Sequence, residues 1–278
     1  MMRELIYAFS FPFMLRALIV GTAIAVCSSL LGASLVLKRY SMIGDGLSHV
    51  AFGALAISSA LGTAPLATAI PIVTVASFLL LWLNRRSRIR GDAATAMVST
   101  TALALGVMVV SLTTGMNTDV RNYLFGSILS MSPEDVKLSL GVAAFVMLLY
   151  VFCYHRLFAV TFDEAFARAC GLHPEVFNAL LAVLTALVVV LGMRMMGVLL
   201  ISSLIVFPPL TSMRVCKRFR SVVLCSAAVS VACLWAGLVI SYVFAAPAGA
   251  SIVMCHAFCF SAFWCARKLI ESNFFSRK

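Results

Sequence analysis

Long apolar runs, separated by short polar punctuation, dominate the chain. A bilayer core takes about 20 apolar residues per helix. On that measure the runs predict spanning segments near 11–37, 44–62, 64–83, 93–114, 136–153, 175–193, 195–213, 221–245 and 249–266. The second segment is short and contains Asp45 and His49. A further stretch at 120–130, VRNYLFGSILS, is too short to span and reads as a re-entrant or interfacial piece. The first apolar stretch runs on to Leu37, too long for a signal-peptide core, so no cleavable leader is expected. These patterns predict an all-α polytopic membrane protein of eight to nine transmembrane helices, forming a single domain over residues 1–278.

Composition agrees with the pattern. Of 278 residues, 63% are hydrophobic and 11% charged, and the mean hydropathy is +1.07. Soluble domains run at roughly 45–50% apolar and about 25% charged.

The net charge of +11 raises the question of nucleic acid, and its distribution answers it. Basic residues cluster at the ends of apolar segments: Lys38 and Arg39; Arg85, Arg86, Arg88 and Arg90; Arg214, Lys217, Arg218 and Arg220; Arg267 and Lys268. Placing the N-terminus outside and the C-terminus in the cytoplasm puts sixteen of the 21 Lys and Arg on the cytoplasmic side. Arg3, Arg16, Arg121, Lys137 and Arg194 fall outside or near the outer boundary. That asymmetry is a topology signal, and no nucleic-acid partner is expected.

Breaks in the runs are also informative. Pro208 and Pro209 sit inside an otherwise continuous segment, where each removes a backbone donor and is expected to kink the helix. AAPAGA at 245–250 reads as a tight extracellular turn. One inward loop, residues 155–177, is long and structured. Its acidic start at Asp163 and Glu164, its helix formers and its Gly171 predict a short helix, and a cytoplasmic helix of this kind suggests a docking element.

Within hydrocarbon an ionisable side chain costs a few kcal/mol and is functional by default. Asp45 and His49, at i and i+4, share one helix face. Ser41 and Ser48 extend that polar stripe, while Gly44 and Gly46 flank the carboxylate and allow another backbone to approach, or the helix to break. A carboxylate oxygen and an imidazole nitrogen form a partial ligand set for zinc or manganese. Two ligands do not complete a site; a symmetric dimer would supply four across its axis. Three other readings stay open on spacing alone. Asp45 could cap its own helix with His49 on a backbone carbonyl, the pair could carry protons, or an Asp–His hydrogen bond could link helices.

Other candidates are weaker. His256 reads as a core histidine, His155 and His173 as solvated, and Met193, Met195 and Met196 as packing residues. Asn117 and Asp119 suit either an outer vestibule or a hydrated turn. The nine cysteines include no C-x-x-C pair; Cys255 and Cys259 share a helix face and read as small buried hydrophobes. No P-loop, H-E-x-x-H or G-x-S-x-G motif occurs, so the chain carries neither its own ATPase nor the marks of a hydrolase.

LVLKRYSMIGDGLSHVAFGALAI, with the G-D-x-L-[AS]-H pattern at 44–49, resembles the permeases of bacterial ATP-binding-cassette (ABC) importers for zinc and manganese. The likeness continues through TFDEAFARACGL, GMRMMGVLLISSLIVFPPLTS and APAGASIV, in order along nearly the whole chain. The resemblance implies a fold similar to cobalamin and iron-siderophore permeases, located in the bacterial cell membrane. It implies a homodimer, a separate cytoplasmic ATP-binding subunit that carries the ATP, and an extracytoplasmic metal-binding protein. Asp45 and His49 match the family's pathway residues. Residues 163–171 match its coupling helix, which implies ATPase contact at Asp163, Glu164, Ala165, Arg168 and Gly171. The spacing there departs by one residue from the E-A-A-x-x-x-G of many other importers. The implied function is divalent-metal import, zinc first and manganese (or iron) as the alternative; an ion-coupled secondary transporter is the alternative of a different class.

Overall fold

The computed structural model describes residues 12–86, 91–113 and 133–275, and these fold into α-helices joined by turns. In chain order they are α1 (Pro12–Leu37), α2 (Ser41–Ala60), α3 (Pro65–Arg86), α4 (Gly91–Thr113), α5 (Pro133–Phe152), α6 (Tyr154–Phe162), α7 (Glu164–Ala169), α8 (Pro174–Met196), α9 (Val198–Ser212), α10 (Phe219–Phe244) and α11 (Ala248–Phe275). The stretch at 120–130, Asn117, Asp119, Arg121, Arg3, Arg88 and Arg90 lie outside the described residues.

Among the described residues, six helices are long and apolar enough to cross a bilayer: α1, α3, α4, α8, α10 and α11. A seventh crossing follows if α5 and α6, which meet at a 67° bend, count as one span. The expected eight to nine therefore depends on two further helices. One is α2, whose mean hydropathy is lowered by Asp45 and His49; the other is α9, which has 15 residues.

These two helices are largely enclosed by the rest of the bundle. Along α2, Leu47, Ala51, Phe52 and Leu55 are buried, and along α9 so are Leu200, Ile201, Leu204 and Ile205. α9 packs on α1, α2, α10 and α11, while α2 packs chiefly on α4 and α3. The outer helices carry the exposed apolar side chains, such as Val75, Leu105, Met108 and Met254, as a lipid-facing surface requires. Trp82 and Trp264, also exposed, stand beside basic clusters, the usual place of an interfacial aromatic belt.

Small residues set the close contacts. A Cβ at Gly53 would lie 2.8 Å from the Ala102 carbonyl oxygen, and one at Gly46 would lie 2.6 Å from Thr95 Cγ2. The α2 and α4 backbones thus touch in the small-residue manner of membrane helices. α9 runs unbroken through Pro208 and Pro209. Because Pro209 has no N–H, the Ile205 carbonyl lacks its donor within the helix. α1 comes up to that same carbonyl at Gly32, where a Cβ would lie 2.1 Å from the oxygen.

The turns follow local rules. α1 ends in a Schellman pair, with Tyr40 N–H donating to Leu35 O and Arg39 N–H to Val36 O. Arg39 takes the left-handed position (φ 61°) usually given to glycine. The 155–177 segment holds two helices where the sequence suggested one. α6 was not anticipated because Cys153 marks the bend from α5 with neither Gly nor Pro. Of AAPAGA, only residues 245–247 form the tight turn, with Ala245 left-handed at the end of α10 (φ 50°), and α11 already begins at Ala248.

Candidate functional site

Asp45 and His49 stand one turn apart near the start of α2, and that helix is continuous from Ser41 despite the glycines at 44 and 46. Those glycines serve close approach instead. A Cβ at Gly44 would meet Ile205 Cδ1 at 3.0 Å, so α9 presses on one side of Asp45 while Thr95 presses beside Gly46. Asp45 thus stands between α9 and α4 on a largely buried helix, yet its side chain remains 42% exposed and that of His49 22%.

The hydrogen bonds around the pair bear on two of the readings left open above, the helix cap and the Asp–His bond. Asp45 Oδ1 accepts from Ser202 Oγ on α9 at 2.9 Å. Ser48 Oγ donates to the Asp45 backbone carbonyl at 2.6 Å and lies 3.3 Å from Ser202 Oγ. Asp45 does not cap α2, whose N-cap is Tyr40 with no side-chain bond. His49 Nε2 lies 3.8 Å from Asp45 Oδ2, beyond hydrogen-bond range, and His49 Nδ1 is buried without a partner. The Asp–His pair is therefore not a structural clamp, and the link from α2 to α9 runs through Ser202. Asp45 Oδ2 and His49 Nε2 lie side by side on the partly exposed face of α2. Among the described residues no group of three or more His, Cys, Asp and Glu comes together.

The second site is the 163–171 segment. Asp163 caps α7, its Oδ1 accepting from Ala165 N and Phe166 N at 2.9 Å each. The helix closes in a second Schellman turn, with Leu172 N–H on Ala167 O and Gly171 at φ 81°. Ala165, Phe166 and Arg168 are exposed, and Arg168 pairs across the surface with Glu175. Glu164 turns the other way. Its Oε1 accepts from Lys38 Nζ at 2.7 Å and from Asn178 Nδ2 at 2.8 Å. This pairing puts the 163–171 segment and the α1–α2 turn at the same end of the bundle.

Ser202, Lys38 and Asn178 were not singled out from the sequence as site residues. Ser202 stands in ISSL, where a hydroxyl in an apolar run is the visible signal; Lys38 reads as a topology charge and Asn178 as an ordinary helix residue. Of the weaker candidates, Met193, Met195 and Met196 are core residues. His155 and His173 are exposed. His256 is buried, with Nδ1 2.9 Å from the Ile252 carbonyl and Nε2 unpartnered. All nine cysteines are free thiols.

Residues 10–266 match the ABC 3 transport family. The chain belongs to that family. It is 31% identical over 250 residues to the manganese import system permease protein ScaB of Streptococcus gordonii, covering 90% of each chain. It is 27% identical to the high-affinity zinc uptake system membrane protein ZnuB of Haemophilus influenzae, covering 90% of this chain and 96% of that one. Among solved structures, PsaBC from Streptococcus pneumoniae, in complex with Fab, superposes with a TM-score of 0.86 at 29% identity, covering 95% of both chains. The expected family and the non-enzymatic, transport nature of the chain are both confirmed.

Proposed function

We propose that this chain is the permease subunit of an ATP-driven importer of divalent metal, and that two copies bring their Asp45 and His49 side chains together on the translocation path. The observation that carries the reading is the Asp45–His49 gap: two ligand atoms 3.8 Å apart on one exposed face of a buried helix, held by Ser202. One chain offers an oxygen and a nitrogen, so two offer N2O2, a set that suits a first-row divalent ion. The imidazoles favour zinc over manganese. The named relatives include importers of each, so the choice rests on donor chemistry alone. An incomplete set per chain also lets the ion leave, as transport requires.

The same reading places the ATP-binding subunit against α7 and the neighbouring turn, at Asp163, Ala165, Arg168 and Gly171, with the half-exposed Glu164 held by Lys38 and Asn178. An extracytoplasmic binding protein delivers the ion to the opposite side. With α2, α9 and the α5–α6 pair each counted as a crossing, nine spans put the N-terminus outside and the C-terminus in the cytoplasm. Pro208 and Pro209 each remove a donor from α9, and the Ile205 carbonyl left by Pro209 lies against Gly32 of α1, a point where the helix can flex.

Replacing Asp45 and His49 singly by Ala, with membrane abundance held equal, tests the site. Zinc and manganese accumulation by cells should fall at least about tenfold, the lower end of what the loss of a group serving a metal site produces. Near-normal accumulation in both variants would remove the pathway role. Uptake that persists without an ATP-binding subunit and collapses with the membrane gradient would instead mark a secondary transporter.

A further inference from the structure

We propose that Lys38 and Asn178 are positioning residues that latch the ATPase-facing segment to the turn from which the Asp45 helix begins. The inference rests on the permease reading above and adds how motion reaches the metal pair. Lys38 follows the last residue of α1, and its side chain is only 6% exposed. A buried ammonium persists only when paired and hydrogen-bonded, and here Glu164 and Asn178 both accept from it. Asn178 is itself 2% exposed and donates to the same Glu164 oxygen. Three elements that are 14 to 140 residues apart in sequence thus meet in one polar knot.

The position of the knot gives it a mechanical consequence. Glu164 is the first residue of α7, whose outer face is exposed and whose own cap is complete. A push on α7 therefore moves a pre-formed unit rather than unwinding it. On the inner side, Lys38 leads through the left-handed Arg39 into α2, which carries Asp45 and His49 within its first turns. The turn is rigid, closed by Tyr40 N–H on Leu35 O at 2.8 Å and Arg39 N–H on Val36 O at 3.1 Å. Apolar contacts between helices can slide, whereas a paired charge with a fixed amide beside it cannot be displaced without being broken. Displacement of α7 is thereby carried to the start of α2.

The test is the number of zinc or manganese ions moved per ATP hydrolysed. It uses proteoliposomes holding the permease, its ATP-binding subunit and its binding protein. Lys38→Met keeps the apolar stem and removes the charge. Metal moved per ATP should fall about tenfold while hydrolysis continues, a size within reach of residues that couple distant sites. The exchange K38E/E164K should restore the ratio to within about twofold, because the Asn178 amide both donates and accepts and so follows the swap. A merely structural contact would not regain coupling by exchanging charge. Wild-type coupling in Lys38→Met, or an exchange variant as uncoupled as the single one, overturns the latch. If Lys38→Met does not assemble, the exchange variant decides alone, and its failure to assemble as well would reduce the knot to a folding contact. A wild-type complex that hydrolyses ATP but moves neither metal refutes the permease reading itself, and the latch with it.

Discussion

At the scale of single residues, the site depends on what surrounds two ordinary side chains. Asp45 is held on one oxygen by Ser202, leaving the other oxygen to face His49. Ser202→Ala removes that donor without touching either ligand. Zinc uptake by cells should lose about tenfold or more in apparent affinity, as for groups that orient a metal ligand, with the maximal rate the less affected. An unchanged half-saturation concentration would show that the hydroxyl does not orient Asp45. The pair itself is legible from the sequence because i and i+4 fix a shared face whatever the tertiary structure. Ser202 is not legible in that way, since its partner lies 157 residues distant and only packing brings α9 to α2. Lys38 escapes notice for a related reason: a basic residue at a helix end satisfies the topology rule, which hides its second role.

At the scale of elements, the apolar runs located α2 and α9 within three residues at each end, but these two fall short of the length or hydropathy of a span. α2 carries Asp45 and His49 and so loses hydropathy, while α9 is short, with 15 residues, and packs on α1, α2, α10 and α11. The apolar-run criterion measures suitability for lipid, and these helices mostly meet protein. Their contacts depend on glycine. Gly53→Leu puts a side chain where even a Cβ would sit 2.8 Å from the Ala102 carbonyl, and overpacking of this kind costs about 1–3 kcal/mol. Thermal unfolding of the detergent-solubilised protein should shift down measurably, whereas Gly141→Leu, at a position with open space, should leave it in place. Equal shifts would refute the close α2–α4 contact. α7 offers a different test. Phe166 is 62% exposed on a six-residue helix, an apolar knob that calls for a groove. Phe166→Ala should reduce co-purification of the ATP-binding subunit while leaving permease yield unchanged; undiminished co-purification would place the docking surface elsewhere.

At the scale of the whole molecule, the Lys38–Glu164 pair fixes the α1–α2 turn and the 163–171 segment at one end of the bundle, and the proposed topology puts that end in the cytoplasm. Cys170 is exposed beside α7. A chain retaining Cys170 as its single cysteine should react with a membrane-impermeant thiol reagent in inside-out vesicles and stay unlabelled in intact cells. The reverse pattern would invert the topology.

The central claim is that two copies share one metal site built from Asp45 and His49. The most direct measurement is the elemental metal content of the assembled complex, stalled with a non-hydrolysable nucleotide after exposure to zinc or manganese. The account predicts one ion for each two permease chains, beyond what the binding protein holds, and its loss in the Asp45→Ala, His49→Ala double variant. Metal retained by that variant, or one ion for every single chain, would contradict it.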